Sequence, residues 1–102
     1  MNGGAALTFG WDIAKADINE RKHGISFMLA TTVFADPDIE TFADLDHSGD
    51  EERWYSIGRC DTGSLLTIVH TFYGTGSIAS VRIIPARKAT KGEFEVYKGR
   101  YS

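Results

Sequence analysis

Cysteine is nearly absent from this chain. Cys60 stands alone, so no internal disulfide can form and the fold must rest on its core. A single thiol in a strand-like stretch is usually a small, half-buried apolar residue, and this cysteine usage fits a reducing cytoplasm. Long apolar runs are also missing. Nothing approaches the roughly 18 consecutive apolar residues of a membrane span, and the start lacks the basic-then-apolar pattern of a secretory signal. Proline occurs only twice, at Pro37 and Pro85, and each marks a break: the first ends a helical pattern, the second calls for an edge position or a bulge in a strand. A basic surplus is lacking too, since the net charge is −3, which speaks at first against a nucleic-acid partner.

The charges that are present are unevenly placed. Eight of the 14 acids lie between Asp36 and Glu52, and no lysine or arginine falls between His23 and Glu52. Setting that segment aside leaves all 11 basic residues facing six acids, so a basic face and an acidic edge can coexist on one molecule. With 102 residues, 42 % of them apolar, the chain makes one globular domain over residues 7–102, preceded by a flexible start at residues 1–6.

Local patterns predict the elements. Leu7 to Trp11 forms a short strand and Asp12 caps a helix over Ile13–His23, where Ala14 and Ile18 share a face and Gly24 is the stop. Ser26 caps a second helix that buries Phe27, Ala30, Val33 and Phe34. Strands follow at Ile39–Leu45, Glu52–Cys60, Leu65–Tyr73 and Ile78–Ala86, and their short turns predict antiparallel neighbours. Thr90-Lys91-Gly92-Glu93 matches a capping box and opens a terminal helix on which Phe94, Tyr97 and Tyr101 share one face. The sum is an α+β domain, an antiparallel β-sheet with two N-terminal helices and one C-terminal helix.

The last strand and its junction with the final helix carry the chemistry. Arg82 and Arg87 interrupt an apolar run, and a guanidinium fork matches phosphate geometry while staying charged. Glu93 and Tyr97 add groups that could move protons, although an ordinary exposed sheet face would look similar. Each has a plain rival. Glu93 is explained by its cap, Tyr97 by a core phenol, Lys22 and His23 by the helix dipole, His70 by a structural role at a strand end, and the arginines by pairing with carboxylates. Trp54, Tyr55, Phe72 and Tyr73 could stack bases or simply pair across strands. Asp44, Asp46, Ser48, Gly49 and Asp50 follow the first half of a calcium loop, but Tyr55 stands where its last carboxylate belongs.

The ordered set of short motifs resembles the BrnT toxins of bacterial type II toxin–antitoxin systems. The matching pieces are Phe9-Gly10-Trp11-Asp12 with Ala14-Lys15, Asn19, Lys22-His23-Gly24, Ser26-Phe27 and the run from Ala30 to Phe34. They continue with Asp36-Pro37, Asp46-His47-Ser48, Glu51-Glu52-Arg53, Ile57-Gly58, Val69-His70-Thr71, and Arg82 to Thr90 with Glu93 and Tyr97. The chain departs from the family pattern in being acidic overall and in carrying Pro85 where serine is common.

The resemblance implies a RelE-like fold and an endoribonuclease that cuts RNA without a metal or other cofactor and arrests translation. It also implies a BrnA-type ribbon-helix-helix antitoxin, with operator DNA reached only through that partner. On the residues of this chain it points to Arg82, Arg87, His70, Glu93 and Tyr97 as catalytic candidates. Arg53, Lys22, His23 and Lys88 are the candidate RNA-binding residues. A non-catalytic partner-binding module on the same fold is the competing expectation, and a gyrase poison a third.

Overall fold

The computed structural model describes residues 6–45, 52–75 and 78–99. The strands are β1 (Ala6–Gly10), β2 (Glu40–Ala43), β3 (Trp54–Arg59), β4 (Leu65–Thr75) and β5 (Ile78–Lys88). The helices are α1 (Ile13–His23), α2 (Phe27–Thr31), which continues as a 3-10 turn over Thr32–Ala35, and α3 (Lys91–Gly99). The expected flexible start lies outside the described residues except at Ala6, which opens β1; most of the calcium-like spacing lies outside them as well.

The five strands form one sheet in the order β1-β5-β4-β3-β2. Short connections make β2 to β5 antiparallel neighbours, as the turns predict. The fully antiparallel expectation is corrected at β1, which pairs parallel to β5 from Ala6↔Ile78 to Gly10↔Arg82. Two helices separate β1 from the rest of the sheet, so no tight turn dictates its direction.

Strand alternation divides the residues between two faces. Leu66 and Ile68 of β4 and Val81, Ile83 and Ala86 of β5 join Ile25, Phe27, Ala30 and Val33 in the core beneath α1, α2 and the 3-10 turn. Gly58 is required there, because a Cβ on it would meet Val33 Cγ1 at 2.8 Å. The caps on α1 and α2 form as read: Asp12 Oδ1 accepts from the Lys15 N–H at 3.1 Å and Ser26 Oγ from the Leu29 N–H at 3.0 Å. Gly24, at φ 72°, closes α1 in the left-handed region.

Packing departs from the pattern on α1. Ala14 and Ile18 face outward, Ile18 at 61 % exposure, and the helix turns Ala16 and Asn19 to the core instead. Asn19 matters because β1 stops opposite Arg82, leaving the second half of β5 without a strand on that side. Its Nδ2 donates to the carbonyls of Ala86 at 2.8 Å and Ile25 at 3.0 Å, and its Oδ1 accepts from the Ala86 N–H at 3.0 Å. One side chain thus completes the ladder where the edge strand has ended.

Just before Ala86, the register slips. Ile68 pairs with Ala86 but His70 pairs with Ile83, so Ile84 and Pro85 together oppose Val69. Pro85 takes both of the places allowed to it, a bulge in the register and a stretch of β5 that β1 no longer flanks.

Replacing Asn19 with alanine leaves three backbone groups without these partners. We expect a loss of about 2–4 kcal/mol with an unchanged urea m-value. A change below about 0.5 kcal/mol in urea denaturation would show that the ladder does not depend on it.

Candidate functional site

The sheet face opposite the core is covered at one end by α3 and open beyond it. Between β3, β4, β5 and the start of α3 lies a hollow of about 590 Å³, with Arg53, Tyr55, Thr67, Pro85, Arg87 and Glu93 among its walls. Two smaller hollows adjoin it through shared residues. One holds Lys15, Arg53 and Arg82, and the other Lys15, Lys22 and His23; Ile84 lines all three. The bulge at Ile84–Pro85 is therefore the floor around which cations from α1, β5 and Arg53 are arranged.

Glu93 is the most constrained group. Its carboxylate takes two parallel hydrogen bonds from Arg87, Nη1 to Oε1 at 2.7 Å and Nη2 to Oε2 at 2.9 Å. Oε1 also accepts from the Thr67 hydroxyl at 2.9 Å and the Thr90 N–H at 2.8 Å. Thr90 Oγ1 returns the bond from the Glu93 N–H at 3.1 Å, closing the capping box. Arg87 foremost, then the Thr90 N–H and the Thr67 hydroxyl, outweigh the effect of burial and hold the carboxyl at about 2. Glu93 in turn raises the Arg87 guanidinium, against the opposing effect of burial. Cap and ion pair are one device: the carboxylate that starts α3 also fixes the plane of Arg87.

Arg82 projects from β5 opposite Gly10 and Thr71. It is exposed and forms no ion pair or hydrogen bond among the described residues. Neither arginine pairs with the described part of the acidic segment; the partner Arg87 takes is Glu93.

His70 and Tyr97 are not brought to this hollow. His70 falls on the core face by strand alternation, is 1 % exposed and sits edge-on to Phe34 at 5.0 Å. Its Nδ1 donates to the Thr71 carbonyl at 3.0 Å, so Nε2 accepts from Ser56 Oγ at 2.8 Å, and Ser56 accepts from Thr41 at 2.8 Å. Burial keeps the imidazole below its ordinary 6.5 despite the Thr71 bond.

Tyr97 faces Arg59, Asp38 and Lys98 around the other side of α3, while Gly92, Glu93 and Val96 face the hollow. The Tyr97 hydroxyl donates to Asp36 Oδ2 at 2.7 Å, and burial followed by that carboxylate pushes it up to about 12. Burial alone would raise Asp36. The N–H of Arg59, then the Tyr97 hydroxyl and the N–H of Asp38, prevail and hold it below its usual range. This pairing docks α3 on the residue after the 3-10 turn and, through it, on the end of β3.

Lys88 is exposed at the strand end and lines none of these hollows. Cys60 is buried rather than half-buried and lies just past the end of β3, its Sγ 3.2 Å from the Thr62 hydroxyl. The contributions missed from sequence are Lys15 and Thr67. Lys15, Asn19 and Lys22 are spaced i, i+4, i+7, one stripe of α1, which was the available signal. Thr67 had none, since its role depends on the partner strand bringing Arg87 opposite it.

Among the described residues, no three His, Cys, Asp or Glu side chains converge as metal ligands, and no helix is long and apolar enough to cross a membrane. The family described as "Ribonuclease toxin, BrnT, of type II toxin-antitoxin system" matches residues 11–93. Among solved structures, the ribonuclease toxin BrnT of Brucella abortus is similar with a TM-score of 0.59 and 19 % identity, over 84 % of this chain and 100 % of that one. At that identity, the likeness speaks for the fold. No curated protein matches the chain.

The Arg87–Glu93 pair sets a pH dependence. Because the Glu93 carboxyl is depressed from 4.5 to about 2, its stabilisation is complete above about pH 4.5 and is lost as pH falls towards 2. Glu93→Gln removes that component, so its stability curve across this window will be flatter than that of the parent. Parallel curves in acid denaturation followed by circular dichroism would show that the pair contributes nothing.

Proposed function

The chain belongs to the BrnT family of ribonuclease toxins of type II toxin–antitoxin systems, and on that premise we propose that it is a metal-independent endoribonuclease that arrests translation. The observation that carries the proposal is the convergence of Arg53, Arg82 and Arg87 with Lys15 and Lys22 of α1 on adjoining hollows along the open sheet face and its β5 edge.

In the proposed reaction, the 2′-oxygen of a ribose attacks the adjacent phosphorus while the bond to the 5′-oxygen breaks. A 2′,3′-cyclic phosphate forms, the 2′-proton passes to solvent water, and the departing 5′-oxygen takes a proton from solvent. Negative charge builds on the non-bridging oxygens in the transition state, and fixed guanidinium groups stabilise it there. Arg87, with its plane set by Glu93, and Arg82 are assigned that role. Arg53, Lys15, Lys22 and His23 hold the flanking backbone.

Glu93 is ionised throughout the physiological range and acts in this scheme as the brace of Arg87. His70 and Tyr97 are better read as structural, the first neutral in the core and the second docked on Asp36. Lys88 adds charge near the junction.

A RelE-like frame and a cytoplasmic site of action complete the proposal. The partner would be a BrnA-type ribbon-helix-helix antitoxin that covers the open face, with operator DNA contacted through the antitoxin. One observation favours the second reading, a non-catalytic module that grips a partner: Arg87 and Glu93 already satisfy each other, and neither titrates near neutrality.

The deciding experiment is cleavage of a defined single-stranded RNA by the purified chain in EDTA, with product ends analysed. The expected result is cyclic phosphate ends, with the rate lowered at least about 100-fold in Arg82→Ala/Arg87→Ala, the scale of losing transition-state charge stabilisation. Cleavage that stops in EDTA, or a double variant as active as the parent, would overturn this chemistry. Intact RNA from a folded chain would favour the binding module.

A further inference from the structure

A fourth hollow lies on the same face, beyond Arg82. It has a volume of about 380 Å³ and is walled by Thr8, Trp11, Asp12, Tyr73, Ser80 and Arg82 among others. We infer that this hollow is a nucleobase subsite, which takes the base of a nucleotide flanking the phosphate held at Arg87. The inference rests on the ribonuclease reading above.

Its geometry and chemistry fit that occupant. Tyr73 stands opposite Ser80 across the β4–β5 ladder and is 74 % exposed. Several aromatic rings are packed on one another, Phe9 on Phe34, Trp11 on Phe27 and Phe42 on Tyr55. Phe72 and Phe94 are exposed like Tyr73, but of the three Tyr73 alone lines the hollow. Tyr73 has no such ring partner among the described residues, so its face is left open for stacking. A base stacks on such a ring whatever its sequence identity.

Asp12 adds a hydrogen-bond acceptor on the wall that this hollow shares with the Lys15–Arg53–Arg82 hollow. A carboxylate accepts hydrogen bonds from ring and amino N–H groups. The hydroxyls of Thr8 and Ser80, 3.0 Å apart, add donors and acceptors beside it.

Arg82 connects the two ends. It lines both this hollow and the one shared by Lys15 and Arg53, which itself joins the Arg87 hollow. From Ser80 to Arg87 the strand covers about 20 Å, long enough to track several nucleotides of extended RNA. A guanidinium midway can hold the phosphate between two bases.

The test compares a dinucleotide with a hexanucleotide, both with 2′-fluoro riboses so that neither can cyclise, bound to the full chain and followed by fluorescence anisotropy. The parent is expected to bind the hexanucleotide more tightly. Tyr73→Ala should weaken the hexanucleotide about ten-fold, the scale of a lost base–aromatic stack, while leaving the dinucleotide unchanged. Tyr73→Phe should restore binding, because it keeps the ring.

A Tyr73→Ala chain that binds the hexanucleotide like the parent, yet still cuts RNA, overturns the subsite and spares the ribonuclease reading. A parent chain that binds neither oligonucleotide and cuts no RNA overturns both. If the substitution weakens the antitoxin alone, the hollow serves a protein partner and the proposal is wrong.

Discussion

Asn19 is the contact on which the arrangement of the open face depends. Strand β1 stops at Gly10, and Pro85 has no N–H to offer, so the second half of β5 would leave backbone groups unpaired beside the core. The three hydrogen bonds of Asn19 close that gap from a helix rather than from a strand. The substitution of helix for strand has a further effect. It draws the Lys15–Lys22 stripe of α1 alongside the bulge of β5, where an ordinary edge strand would have placed alternating side chains. The same bond that completes the sheet therefore recruits cations to its rim.

The second organising element is the doubly used carboxylate of Glu93. A capping glutamate normally satisfies one backbone donor at the surface, whereas here it also receives both prongs of Arg87 and the hydroxyl of Thr67. A guanidinium held in one plane loses less freedom when it meets a phosphate than a free arginine does. The attraction between carboxylate and guanidinium does reduce the charge presented to a ligand. Arg82, exposed and without an ion pair among the described residues, offers the opposite balance of full charge with little restraint. The face thus combines one oriented cation with one mobile cation.

Much of this was legible in the chain. Asp12, Ser26 and the Thr90–Glu93 box announced three helix starts, and Pro85 announced an edge or a bulge, because each acts through atoms a few residues away. The face of α1 was misjudged from Ala14 and Ile18, since a polar Asn19 looks like a surface residue until the unpaired strand beside it is known. The direction of β1 was hidden because two helices, not a turn, follow it. His70 and Tyr97 were placed among candidate site residues by side-chain type and by the family resemblance. Strand alternation put the first under the sheet and helix rotation turned the second away, and the bulge that sets the relative faces could be suspected but not registered. Thr67 was invisible, being defined wholly by its cross-strand neighbour Arg87.

The parallel pairing of β1 with β5 also imposes an order in time. Strands β3, β4 and β5 meet through short connections, but β1 must find a partner some 72 residues away, as the Thr8–Ser80 contact shows. Contacts of such separation carry a high loop-closure cost and form after local ones. During synthesis the first strand must wait until β5 has left the ribosome, and Asn19 waits with it for Ala86. The basic rim is consequently among the last features to be assembled, so a growing or truncated chain lacks the surface that the finished one presents.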